Sequence, residues 1–144
     1  MEVNEERDPP MGTIVVGYVL TSEGQAALNW AISEAKRSNA RLVVIHSSRG
    51  GDHDKDEDVI AYRQAGERIE RRLADEGIKD FRLAGLVLGN KPVEDIVEVA
   101  ETEEADLIVI GVRRRSSLGK LILGSNAQAI IMEAPCPVVT IRAE

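Results

Sequence analysis

Short runs of β-branched and aliphatic residues alternate with amphipathic segments along this chain, and this alternation limits the possible folds more than any other feature. The runs "TIVVGY" from Thr13, "RLVVIHS" at Arg41–Ser47 and "DLIVIG" at residues 106–111 lack an inward and outward alternation. Such runs are typical of strands that are buried on both faces of a sheet. Because parallel strands need right-handed crossover helices, we predict a three-layer α/β/α sandwich around a parallel sheet.

The segments between the runs carry apolar residues at helical spacing. The first predicted helix covers residues 24–38, the second ends near Gly77, the third begins at Pro92 and the last covers residues 126–132. Two further strands are predicted, an edge strand of mixed period at residues 81–88 and a last strand at residues 136–142. The residues predicted to face the sheet from the first three helices are Ala27, Ala31, Ile32 and Ala35; Val59, Tyr62, Ile69 and Leu73; and Val93, Ile96, Val97 and Ala100.

Length and composition favour one soluble domain. The chain has 144 residues, 43% of them hydrophobic and 30% charged, so we predict a flexible tail at residues 1–10 and a single domain at residues 11–144. The first residues lack the basic start and apolar stretch of a secretory signal, and Cys136 is the only cysteine. We therefore expect a cytoplasmic protein without a membrane span, with Cys136 as a small buried residue.

The charge balance argues against nucleic acid as a partner. The formal net charge is -7 at pH 7, whereas nucleic-acid binding normally uses a broad basic face. Aromatic residues make up 3% of the chain, which leaves few rings for stacking on bases. Two histidines are too few to predict a metal site, and a solvated loop explains the acidic cluster at residues 52–58 better than a cation site does.

One stretch, "GVRRRSSLGKLILGSN" from Gly111, has the features of a phosphate-binding loop. It follows a buried strand and ends at a predicted helix N-terminus, where unpaired N–H groups suit an anion and where Ser125 or Asn126 can cap the helix. Taken by itself, Gly124 is better explained by a backbone turn with positive φ. The loop is not a Walker A site, because positions 114 and 121 are Arg and Leu. Nothing after the first strand resembles the dinucleotide fingerprint.

The register of this loop resembles that of the universal stress protein family. Gly111, two residues, position 114, nine residues and then Gly124-Ser125 follow the Gly-x2-Gly-x9-Gly-Ser/Thr pattern of that family. The segments "GNKPVEDIVEVA" and "APCPVVTI" are also similar, and the resemblance extends over residues 13–142. It implies a Rossmann-like fold of the adenine nucleotide alpha hydrolase type, with five parallel strands in the order 3-2-1-4-5. It further implies a cytoplasmic homodimer and, in a subset of members, ATP binding.

The resemblance also implies the site residues. Loop glycines and hydroxyl residues would hold the phosphates, the backbone after His46 would contact adenine, and the turn after the first strand would face the nucleotide. The predicted nucleotide-binding residues are Gly17, Val19, Ser47, Gly111, Arg113, Arg114, Gly124, Ser125 and Asn126.

Two of these positions depart from the family pattern. Arg114 replaces the middle glycine, and Val19 replaces an acidic residue that would suit Mg²⁺ or a ribose hydroxyl. The lost carboxylate argues against metal-assisted binding. Arg113, Arg114 or Arg115 could supply phosphate donors in compensation, while salt bridges to local acids explain a basic run equally well.

The chain carries no nucleophile and base with supporting context. We therefore predict a regulatory module that binds ATP or AMP and does not bind nucleic acid or a membrane. Its catalytic activity would be at most a slow hydrolysis of ATP. The alternative is a nucleotide-independent stress-response dimer that acts through protein contacts. In either case, an exposed apolar edge strand containing Val138 and Ile141 would pair with its copy in a second subunit.

Overall fold

The computed structural model describes residues 12–19, 22–47, 56–85, 92–113 and 123–143. These residues form five strands and four helices in strict alternation. The strands are β1 (Thr13–Val19), β2 (Arg41–Ser47), β3 (Phe81–Gly85), β4 (Leu107–Val112) and β5 (Val138–Arg142), and the helices are α1 (Ser22–Ser38), α2 (Asp56–Asp75), α3 (Pro92–Thr102) and α4 (Ser125–Glu133). The predicted tail at residues 1–10 lies outside the described residues.

The strands form one parallel sheet in the order β3-β2-β1-β4-β5, which confirms the predicted fold. The three central strands consist mainly of Val, Ile and Leu that are fully buried, as expected for a sheet covered on both faces. The predicted edge position of β3 is confirmed, and β5 forms the opposite edge. The winding direction reverses between β1 and β4, so ligands are expected at the carboxyl ends of these two strands.

Each face of the sheet is covered by two helices. One core joins α1 and α2 to residues such as Val16, Val44 and Val109, and the other joins α3 and α4 to residues such as Val15 and Ile108. The predicted apolar face of α1 is buried as a whole. In α2, however, Val59 is 45% exposed, and from Val59 onward the first buried residue of this helix is Ala65. The prediction that Val59 faces the sheet was wrong, because the helical turn that contains it lies before the part of α2 that packs on the sheet.

Several element boundaries differ from those predicted. β5 begins at Val138, two residues after the predicted start, because Cys136 and Pro137 precede the ladder with β4. β3 ends at Gly85 within the described residues, so the predicted continuation to residue 88 is not described. α1 begins two residues earlier than predicted, at Ser22. None of the helices formed by the described residues is long and apolar enough to span a membrane.

Polar contacts tie the strands together at the amino edge of the sheet. The Asp106 carboxylate accepts a hydrogen bond from the N–H of Thr13 at 2.9 Å, which links the starts of β1 and β4. Glu103, at the end of α3, pairs with Arg41 of β2 and with Arg82 of β3. These charges serve the fold at the edge opposite to the expected ligand site.

Candidate functional site at the carboxyl edge of the sheet

The sheet is split at its carboxyl edge between its two central strands. The ladder between β1 and β4 begins at Ile14 with Leu107 and ends at Val16 with Val109, although both strands continue for three more residues. The outer ladders continue to the strand ends, with Val19 beside Ser47 and Val112 beside Arg142. Peptide groups beyond Val16 and Val109 therefore face an opening at the position where the winding reverses, which is where open α/β sheets bind ligands.

Two of the predicted site residues, Gly17 and Gly111, lie on the strand segments beside this opening. A Cβ on Gly17 would lie 3.1 Å from Cδ1 of Ile96, on the α3 face. A Cβ on Gly111 would lie only 2.0 Å from the carbonyl oxygen of Glu23, on the α1 face. The packing of α1 thus requires glycine at position 111 whether or not a ligand is bound.

Arg113 follows β4 directly and brings positive charge to this edge. Its guanidinium lies 3.3 Å from the Glu23 carboxylate, with side-chain exposures of 58% for Arg113 and 18% for Glu23. The carboxylate lies in the first turn of α1, where the helix dipole favours negative charge. The salt-bridge alternative therefore describes Arg113 in the free protein, while more than half of its side chain stays accessible to an anion.

The N-terminus of α4 begins at the carboxyl edge, because this helix returns the chain from β4 to the start of β5. Gly124 is the N-cap residue, and no side-chain hydrogen bond from the described residues caps the helix. The predicted caps Ser125 and Asn126 are instead the first two helical residues, with exposed side chains. The predicted positive φ of Gly124 was also wrong, since its φ is -71°. The first N–H groups of α4 have no intrahelical partner and point toward this edge.

A buried aromatic cluster supports the end of β2. The His46 side chain is 3% exposed, and its ring stacks on that of Tyr62 with centroids 4.1 Å apart and planes 5° apart. The Tyr18 ring lies against the same imidazole at 5.8 Å. Burial lowers the pKa of His46 below its ordinary value, which keeps the imidazole neutral at pH 7. The main chain of Ser47 follows this cluster directly and pairs with Val19.

The remaining predictions about the site are only partly described. Arg114, the residues at positions 115–122 and the side chains of Val19 and Ser47 lie outside the described residues. Cys136 is half-buried against the α3 and α4 core, and burial is the main cause of the raised pKa of its thiol. No group of three or more His, Cys, Asp or Glu side chains that could hold a metal ion occurs among the described residues.

Two residues at this edge were missed from the sequence, Glu23 and Tyr62. An acidic residue in the first turn of a helix is a common dipole effect, so Glu23 carried no distinct signal. Tyr62 was identified only as part of an apolar helix face, although a hydroxyl at the end of such a face is a reason to look for a polar partner.

Comparisons with known proteins agree with this architecture. Residues 11–142 match the profile of the universal stress protein family. A universal stress protein of Mycolicibacterium smegmatis is 37% identical over 132 residues, which cover 90% of this chain and 96% of the relative. A solved universal stress protein from Archaeoglobus fulgidus shares 36% identity with a TM-score of 0.72, covering 90% of this chain and 98% of that one. Another, from the same organism and in complex with dAMP, shares 30% identity with a TM-score of 0.67, covering 90% and 97%.

Proposed function

The chain belongs to the universal stress protein family, and on that premise we propose that it is a regulatory module that binds an adenine nucleotide, ATP or AMP. The observation that carries the proposal is the opening between β1 and β4 at the carboxyl edge. The complex of the Archaeoglobus fulgidus protein with dAMP supports the same class of ligand.

The phosphate groups would lie between the N-terminus of α4 and Arg113. The backbone N–H groups of Ser125 and Asn126 supply donors there, and a guanidinium suits phosphate because it donates two parallel hydrogen bonds. Gly124 is extended, and it brings the main chain to this position without a side chain. The Glu23 carboxylate competes for Arg113 in the free protein. A surface pair of this kind contributes at most about 1 kcal/mol, so a phosphate can displace it.

The base would lie against the main chain of Ser47, at the other side of the opening. β2 and β1 are paired up to Ser47 and Val19, so the main chain there is held in place by the sheet. Gly17 lies on the same side of the opening, on β1, where it packs closely against Ile96 of α3. The proposed nucleotide site therefore combines one rigid strand end with one helix N-terminus.

Mass spectrometry of the purified protein under native conditions, followed by calorimetric titration with ATP, AMP and cyclic AMP, tests the proposal. We expect binding of ATP or AMP, with and without Mg²⁺. Gly124→Val should abolish it, because extended backbone accepts valine but its side chain would block the phosphate. Absence of both bound nucleotide and heat at millimolar ligand would refute the proposal and leave the nucleotide-independent dimer.

A pair of charge variants provides the matched control. Arg113→Gln should weaken nucleotide binding, whereas Arg37→Gln should not. Arg37 also forms an exposed pair with a glutamate, Glu34, but it lies in the last turn of α1, at the amino edge. Equal losses in both variants would indicate a general effect of net charge and would contradict a phosphate contact at Arg113.

We also propose that the chain forms a homodimer through β5. This strand lies at the sheet edge, and the side chains of Val138 and Ile141 are only half-buried. An uncovered apolar edge favours pairing with a second copy. Light scattering should give twice the chain mass at micromolar concentration, and a monomer at that concentration would refute this proposal.

A further inference from the structure

We propose that Tyr62 is a positioning residue for the adenine base, holding the carboxyl end of β2 so that the main chain of Ser47 meets the base in a fixed orientation. This inference rests on the proposed nucleotide site, and it assigns a role to a residue of α2 that has no place among the phosphate contacts.

The Tyr62 ring confines the last buried side chain of β2. It lies parallel to the His46 imidazole, with centroids 4.1 Å apart. Tyr18 approaches the same imidazole from β1, at a tilt of 40°. One turn further along α2, a Cβ on Gly66 would lie 3.7 Å from Nδ1 of His46. Side chains from β1 and α2 therefore enclose the imidazole, and β2 cannot shift at this position without moving them.

The Tyr62 hydroxyl acts on the main chain itself. It donates a hydrogen bond to the carbonyl oxygen of His46. This carbonyl belongs to the peptide group that joins His46 to Ser47, and a peptide group is planar. Fixing its oxygen therefore fixes the orientation of the whole group and the direction in which the chain leaves β2.

Tyr18 offers a matched control within the same cluster. Its ring is as buried as that of His46, but its hydroxyl makes no hydrogen bond to any residue that the structure describes. Tyr62→Phe and Tyr18→Phe thus each remove one hydroxyl beside the same imidazole. Only the first removes a bond to the main chain.

The test compares AMP with ribose 5-phosphate, which has the same sugar and phosphate but no base. In calorimetric titrations, Tyr62→Phe should weaken AMP binding about two- to fivefold. Fivefold is the upper limit, because it corresponds to the whole net hydrogen bond of about 1 kcal/mol, which is already formed in the free protein. Ribose 5-phosphate binding should stay unchanged, because the phosphate site lies elsewhere. Tyr18→Phe should leave both affinities unchanged. A purely structural role of Tyr62 would weaken both ligands together.

Amide hydrogen exchange in the free protein gives a second readout that needs no ligand. The Ser47 amide should exchange faster in Tyr62→Phe than in the wild type, and at the wild-type rate in Tyr18→Phe. Three results would each overturn the inference and leave the proposed function standing: wild-type AMP affinity in Tyr62→Phe, equal losses of affinity for AMP and ribose 5-phosphate, or an unchanged exchange rate of the Ser47 amide. Failure of the wild-type protein to bind AMP at all would overturn the proposed function and the inference with it.

Discussion

Replacing Gly111 with alanine should destabilise the fold severely because of the closeness of α1 and β4. The added Cβ would lie 2.0 Å from the carbonyl oxygen of Glu23 and 2.5 Å from its carbonyl carbon. Real Cβ contacts are essentially never closer than 3.0 Å, so the two segments must separate by about 1 Å. Both closest atoms belong to the main chain, so no side-chain rotation can relieve the contact.

The expected cost follows from the position of these segments in the core. Overpacking a well-packed interior typically costs about 1–3 kcal/mol. Here the movement would disturb α1 where it covers β4, beside Ala27 and Val109, both of which are fully buried. We therefore expect the upper end of the range, about 3 kcal/mol, which is a large share of the roughly 5–15 kcal/mol that stabilises a typical domain.

Gly17→Ala is the matched control for this prediction. Its Cβ would meet Cδ1 of Ile96 at 3.1 Å, the mobile end of a side chain, so we expect a loss below about 1 kcal/mol. Urea denaturation of both variants measures the difference from the midpoints, provided that the slopes agree. A Gly111→Ala variant within about 0.5 kcal/mol of the wild type, or no less stable than Gly17→Ala, would refute the reasoning.

Three further predictions concern charges. Burial lowers the pKa of His46 below 6.5, so as the pH falls the unfolded chain protonates this imidazole before the folded chain does. The free energy of unfolding should therefore decrease from pH 7.5 to pH 5.5, by at most about 1.4 kcal/mol. Urea midpoints should show a flatter pH profile in His46→Gln, and equal profiles would contradict this. Glu23→Gln should strengthen AMP binding two- to fivefold in calorimetry, because it frees Arg113 from an ion pair that contributes up to about 1 kcal/mol. Weaker binding would contradict this and would show that Glu23 holds Arg113 in place for phosphate. Asp106→Ala should cost about 1 kcal/mol in urea denaturation because it removes the acceptor for Thr13, whereas Asp106→Asn keeps an oxygen there and should cost less; equal losses would exclude the hydrogen bond as the cause.

The fold was predictable because its signals are local and repeated. Each central strand is a run of aliphatic residues too short for a helix, and α3 carries a clear apolar stripe with Ile96 and Ala100 buried. Periodicity alone could not show where a helix begins to cover the sheet, which is why Val59 was misplaced. That limit depends on how far α2 extends beyond the strands, a property of the tertiary structure.

The candidate site was less predictable than the fold, because glycine has different structural roles at different positions of the site. Gly111 and Gly124 both belong to the loop register, yet Gly111 makes room for α1, and Gly124 is an extended N-cap residue. No sequence pattern shows which glycine is needed for close packing, because glycine is also used where the backbone needs positive φ, a conformation that Gly124 does not adopt. The ladder that ends early between β1 and β4 depends on the separation of two strands, which their sequences do not encode individually.

The acidic group at the carboxyl edge bears on the departure from the family pattern at Val19. With Val19 at the usual acidic position, we expected the site to lack the carboxylate that would suit Mg²⁺ or a ribose hydroxyl. The structure places the Glu23 carboxylate at the same edge, four residues later, where it faces Arg113 rather than the solvent. A carboxylate that is bound to an arginine is a poor ligand for a cation, and this carboxylate competes with the proposed phosphate for Arg113. The Arg113–Glu23 pair thus favours an anion that binds Arg113 directly and displaces Glu23. It disfavours an anion that arrives bound to a metal ion.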